Sequence, residues 1–143
     1  MNGISFEVDA SEIKIVADKL DDLSGFQRHE LLDMMGGMVA EQTKERIASE
    51  KTTPSGAPWL PNQRGGDILV LEGHLLGSID HQVSSDQTEV GSAMVYAAIH
   101  NNGGMAGPGN KVEIPSRQYL GLSVGNIAEL ETELGNWLEG KLQ

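Results

Sequence analysis

Cysteine is absent from the 143 residues, which excludes disulfides, thiolate metal ligands and thiol redox chemistry and suits a reducing compartment. Positive charge is scarce: 10 Lys and Arg stand against 21 Asp and Glu, a formal net charge of -11. A surface of that sign repels phosphate backbones, so specific nucleic-acid binding is not expected. Aromatics are few, two each of Phe, Tyr and Trp. With 18 glycines, the chain is short of large anchors and leans on partners for part of its burial. No apolar run approaches the roughly 20 residues of a membrane-spanning helix, and the opening MNGISFEVDA has neither the basic nor the apolar stretch of a secretion signal. The expectation is a soluble cytoplasmic protein without a membrane partner. A chain of this length builds its core as a single domain, residues 1–143, without staples.

What is present is a readable order of elements. Ile4, Phe6 and Val8 alternate with Ser5, Glu7 and Asp9, the period of a strand with one buried face. Asp9 and Glu12 form a capping-box pattern, and Ile13, Val16, Leu20 and Leu23 repeat at helical spacing. This predicts a first helix from Ala10 to Leu23, stopped by Gly25. A second helix is expected from Gln27 to Ser49, with Leu31, Leu32, Met35, Met38 and Val39 on one face, a face that thins toward the C-terminal end. Gly36 and Gly37 inside it cost about 1 kcal/mol each relative to alanine. A kink or a close helix crossing would justify them; a polar face that tolerates them is the other reading.

The stretch from Glu50 to Gly66 holds three prolines and three glycines and is a loop. Trp59 within it should be buried against something. Leu71, Leu75, Leu76 and Ile79 predict a short helix seated on the core. Ile79, His81 and Val83, then Thr88, Val90 and Ser92, alternate on either side of a Ser84–Gln87 turn and read as a hairpin. YAAIHNNGG, Tyr96 to Gly104, reads as a helical turn followed by a break, GGMAGPGNK as a flexible loop, and KVEIP as a short strand stopped by Pro115. Asn126 with Glu129 suggests a capping box for the last helix, whose stripe is Ile127, Leu130, Leu134, Trp137, Leu138 and Leu142. The order predicts an α+β fold, a small antiparallel sheet packed against N-terminal and C-terminal helices.

No catalytic, cofactor-binding or metal-ligating set can be assembled from the residues. Of the four histidines, His29, His74, His81 and His100, no two share the i, i+4 spacing of a helical zinc site. Ser78 and Ser123 do not stand in a G-x-S-x-G turn, and GGMAGPG lacks both the Lys-Ser/Thr and the strand-to-helix setting of a phosphate loop. His100 sits where an imidazole suits the end of a helical turn. A hydrolase using His100 or His81 with Asp80 is the remote alternative, with no nucleophile to name.

Four segments in order, PSGAPWLP (Pro54 to Pro61), LVLEGHLLGSI (Leu69 to Ile79), VGSAMVYAAIHNNGG (Val90 to Gly104) and IPSRQYLGLS (Ile114 to Ser123), resemble the phage virion morphogenesis family. These are the tail-completion and neck proteins of Mu-like and P2-like tailed phages and prophages. With the N-terminal and C-terminal helices, the likeness spans nearly the whole chain. The chain departs from the pattern at Glu72, where a threonine is expected before Gly73, at Asn102, where an aromatic is expected, and at Gln118-Tyr119, where a proline-aromatic pair is expected.

The resemblance implies a non-enzymatic assembly protein that completes the tail or joins it to the head. Its subunits would close into a ring, with phage tail and neck or connector proteins as partners. It would work in the bacterial host cytoplasm during assembly and then at the virion head–tail junction; a tail terminator or minor capsid component is the neighbouring role. Head-to-tail rings need two different patches on each subunit. The loop bearing Trp59 and the Gly103–Lys111 loop are the candidate patches. Asn102, Arg117 and Tyr119 complete the expected interaction residues, Arg117 pairing with carboxylates of a neighbour or of its own chain.

Overall fold

The structure, a computed structural model, describes residues 3–61 and 74–142. Its first strand, β1 (Ile4–Asp9), pairs antiparallel with β3 (Gln87–Ser92), which in turn pairs antiparallel with β2 (Asp80–Ser84), giving the order β1-β3-β2. The predicted hairpin is therefore present, with Ser85 in the left-handed region at φ 52° at its turn. Val8 and Val90 are fully buried on the inner face.

The Ser24 side chain and Gln27 form a reciprocal capping box that starts helix α2 (Gly25–Glu45), two residues earlier than the apolar spacing suggests. This helix crosses β2 and β3 and buries Leu31, Leu32, Met35 and Val39. It also packs on the last helix, α5 (Val124–Leu142), which buries Leu130, Leu134 and Leu138 and meets the short N-terminal helix α1 (Lys14–Lys19). The α+β arrangement is as expected: a small antiparallel sheet lies against helices from both ends of the chain.

The single helix expected over Ala10–Leu23 is instead three pieces, a 3-10 turn at Ala10–Glu12, α1, and a second 3-10 turn at Leu20–Asp22. The Asp9–Glu12 capping box forms, but it caps the first 3-10 turn. Ile13 then adopts an extended conformation and offers no side-chain cap for α1. Glu131 of α5 supplies one across the fold, its carboxylate accepting from the Ile15 N–H at 3.2 Å.

Gly36 explains the glycine pair, and the cause is neither a kink nor a helix crossing. A Cβ at this position would lie 2.5 Å from Cδ2 of His81 and closer still to Oγ1 of Thr88, so the glycine lets α2 rest directly on β2 and β3. At Gly37 a Cβ would meet nothing nearer than 3.8 Å. The two are expected to respond to alanine with opposite signs. Gly36→Ala should cost about 1–3 kcal/mol by overpacking, whereas Gly37→Ala should gain up to about 1 kcal/mol through helix propensity. Urea unfolding midpoints of the two variants check this, and a loss of stability at both positions would refute the assignment.

Two further expectations are corrected. The last helix is capped by Ser123, with Asn126 as its third residue rather than its cap: Asn126 N donates to Ser123 Oγ, and Ser123 N donates to Asn126 Oδ1, each at 3.0 Å. The GGMAGPGNK stretch is not a free loop but half of a two-stranded ribbon, β4 (Gly104–Ala106) paired with β5 (Val112–Ile114) across a turn at Pro108–Asn110. The helix over Leu71–Ile79 is seen as α3 (His74–Ser78); Leu71, Glu72 and Gly73 lie outside the described residues.

Candidate interaction surface

Between β5 and α5 the chain runs from Pro115 to Ser123 as a strap without regular structure, so its backbone groups need partners from elsewhere. They come from three directions. Asn101, at the end of helix α4 (Ala97–Asn102), accepts with Oδ1 from the backbone N–H of Tyr119 at 3.0 Å and of Leu120 at 3.1 Å. Ser116 Oγ donates to the Asn101 carbonyl at 2.8 Å, and Arg117 N to the His100 carbonyl at 2.9 Å. Trp59 Nε1 donates to the Gln118 carbonyl at 2.9 Å. From below, Arg46 Nη1 donates to the Tyr119 carbonyl at 2.6 Å and the Gly121 carbonyl at 3.2 Å, while its Nη2 donates to Asn126 Oδ1.

Arg46 is fully buried, in a π-helical turn at Arg46–Glu50 that follows α2. Burial draws its pKa below the usual value, and the Glu50 carboxylate, 3.9 Å from Nε, opposes that. A buried guanidinium is tolerated when its charge and donors are met: the strap carbonyls take Nη1, Asn126 takes Nη2, and Nε faces the Glu50 carboxylate beyond hydrogen-bond distance. Sequence reading missed Arg46. The available signal was the thinning apolar face of the helix: Gln42, Thr43 and Arg46 continue its buried side as polar groups.

Of the expected interaction residues, three lie inside the chain and one outside. Trp59 is only 6% exposed and sits under the strap. Arg117 is 9% exposed and donates to the carbonyls of Leu60 and Pro61, each at 3.0 Å. Tyr119 is fully buried, its hydroxyl donating to the Ala97 carbonyl at 2.6 Å, and burial raises its pKa far above the usual phenol value. Together they tie the loop, α4 and the strap into one unit. Asn102 is exposed beside them, accepting at 2.8 Å from Asn101 Nδ2.

This unit is the root of the β4–β5 ribbon. Gly103, at φ 76°, ends α4 where a Cβ would come within 2.7 Å of Ser116 N, so the chain turns outward directly beside the strap. From there the ribbon packs mainly on itself among the described residues and exposes Met105 and Val112. At the start of α4, Val95 is 96% exposed and Tyr96 is partly so, its ring edge-on to His100 at 5.5 Å. The arrangement is suited to contact with another protein, since apolar side chains here are presented on a braced base.

The histidine expected to pair with Asp80 finds another acid. His81 Nε2 lies 2.8 Å from Asp33 Oδ1, and Asp80 Oδ1 lies 3.8 Å from Nδ1 while accepting from the His81 backbone N–H. Ser78, which shares a groove with His81, directs its hydroxyl to the Leu75 carbonyl and bonds Ser92 Oγ rather than the imidazole. No group of three or more His, Asp or Glu side chains among the described residues is placed to hold a metal ion. No described helix is long and apolar enough to cross a membrane.

The chain is similar over part of its length to two phage and prophage proteins. The chain is 36% identical over 76 residues to Mu-like prophage FluMu G protein 2 of Haemophilus influenzae, a match covering 53% of this chain and 55% of that protein. It is 40% identical over 58 residues to protein G of Escherichia phage Mu, whose name assigns it to capsid assembly, covering 40% of this chain and 37% of that protein. The chain thus spans about half the length or less of these curated relatives. No solved structure matches it. Residues 8–139 match the phage virion morphogenesis family, nearly the full span that carries the strap, the ribbon and their braces, and the chain belongs to that family.

Proposed function

We propose that this phage assembly protein acts in tail completion or head–tail joining as a non-enzymatic, ring-forming subunit, with residues 1–143 as one tail-completion domain. The observation that carries the reading is the β4–β5 ribbon. Two strands of three residues that expose Met105 and Val112 make a structure that is marginal in water by itself, and a second surface stabilises it. Contacts of one patch on a different patch of the next copy close into rings when the rotation closes. In this reading Asn102 lies at the contact, while Trp59, Arg117 and Tyr119 act on a partner by holding the root of the ribbon in place. The protein works in the host cytoplasm during assembly and then at the head–tail junction, beside tail and neck or connector proteins, without cofactor, membrane or specific nucleic-acid binding.

Sedimentation over a range of protein concentrations tests the self-association, and a strict monomer that also ignores tail components would refute it. Replacing Met105 and Val112 together by serine is expected to weaken association by about tenfold or more while leaving the melting temperature within a few degrees, because both side chains are already exposed in the single chain. Electron microscopy of particles assembled without the protein separates the roles. Full tailless heads beside free tails support joining, and overlong tails indicate a tail terminator. Defective heads support a minor capsid role, the second reading, which the name of the phage Mu relative favours.

A further inference from the structure

A groove of about 280 Å³ lies between the end of α2 and the start of α5, lined by Glu41, Gln42, Glu45, Glu50, Asn126 and Glu129. Four carboxylates gathered in one concavity give it a strongly negative potential. Two are partly compensated, Glu41 by Lys44 at 3.5 Å and Glu50 by Arg46 at 3.9 Å.

The clustering of acids alone would not define a site; the buried side chain beneath them does. Gln42 is only 6% exposed, and its Nε2 donates to the Asn126 carbonyl at 3.1 Å and to Glu129 Oε1 at 3.3 Å. Those acceptors fix which end of the amide is nitrogen. They leave Oε1 a buried acceptor with no donor among the described residues, an arrangement that native proteins avoid unless something supplies the donor. An orphaned acceptor beneath carboxylates selects a cation that also donates hydrogen bonds. The carboxylates are not gathered closely enough to hold a metal ion, which favours an ammonium on a long stem, able to offer three N–H groups to separated oxygens.

Such a group stands on the ribbon. Lys111 lies at its turn, exposed, and reaches no acceptor of its own chain among the described residues. The other described Lys and Arg side chains reach acceptors within the chain, except Lys19, which occupies the last turn of α1, where a cation suits the helix dipole. Three residues per strand carry the ribbon tip roughly 10 Å from its root, and the lysine stem adds to that reach. Because Lys111 does not occupy the groove of its own chain, the contact has to be made between chains.

We infer that Lys111 of one copy enters the Glu41–Glu45–Glu129 groove of the next and supplies the donor for Gln42 Oε1, the head-to-tail contact of the ring. The inference rests on the ring-forming reading above and names its two patches. Full-length Lys111→Glu and the doubly reversed Glu41→Lys, Glu45→Lys protein are each expected to self-associate about tenfold more weakly than the unsubstituted chain, with unchanged circular dichroism and melting curves. Mixed one to one, they should associate again, since each variant retains the half that the other has lost and the second contact is charge-swapped. Raising salt should weaken the unsubstituted association. If the unsubstituted chain is monomeric at every concentration, both the ring and this contact fall. If it associates but Lys111→Glu does so equally well, or if mixing restores nothing, the ring stands and this contact is overturned.

Discussion

Replacing Arg46 by methionine is expected to destabilise the protein by about 3–5 kcal/mol, the range for removing one partner of a buried charged network. Methionine fills much of the hydrocarbon volume, so the loss comes from hydrogen bonding rather than from a cavity. The carbonyls of Tyr119 and Gly121 would each lose this donor, and the Asn126 side-chain oxygen would keep only the Ser123 N–H. Lysine would rescue only part of this, because a compact ammonium cannot span acceptors that a planar guanidinium serves from two nitrogens. In a thermal melt the methionine variant should unfold about 10 °C or more below the original chain. A shift of no more than a couple of degrees would mean that the strap is held by its upper contacts, from Asn101 and Trp59, and that Arg46 is a passenger.

Trp59→Ala should cost a similar amount, about 3–5 kcal/mol, by opening a cavity under the strap and leaving the Gln118 carbonyl without its indole donor. Trp59→Phe keeps most of the apolar contact and loses the hydrogen bond, so it should cost only about 1 kcal/mol. The pair separates two roles for a lone tryptophan in a Pro-Gly loop. A contact anchor for a partner would leave the unfolding midpoint in denaturant unchanged on truncation and abolish assembly. A brace would lower the midpoint first, with assembly failing only as the fold does. Its 6% exposure predicts the second outcome.

The sequence announces elements whose signal is local. β1, the β2–β3 hairpin and α5 follow from alternation, a turn and a stripe, and each is present. It is less informative where a distant group decides. The break at Ile13 depends on a cap supplied by Glu131 from the other end of the chain, and the short-range spacing of Ile13, Val16 and Leu20 contains no trace of it. Gly36 is explained only by the His81 ring and Thr88 hydroxyl that pack against it. The candidate surface was legible as to region, since the loop, α4 and the strap all lie in the segments that carry the family likeness. Its inner and outer residues were not separable, because Trp59, Arg117 and Tyr119 look in sequence like ideal contact residues. Their burial follows from the need of an irregular strap for hydrogen-bond donors and cover, a tertiary demand that no local pattern records.

The pairing order of the sheet also sets a timetable. β3 is the middle strand, and Ile4 lies opposite Ser92, so the strand made first can be paired only after most of the chain has followed it. The β2–β3 hairpin closes across a two-residue turn and can form within microseconds, whereas docking β1 must wait for a long loop to close, the slow kind of contact. Until then β3 carries an open edge of unpaired backbone N–H and C=O groups. A nascent chain in that state is exposed to strand exchange with its neighbours, so the N-terminal strand serves as the lid that ends the interval.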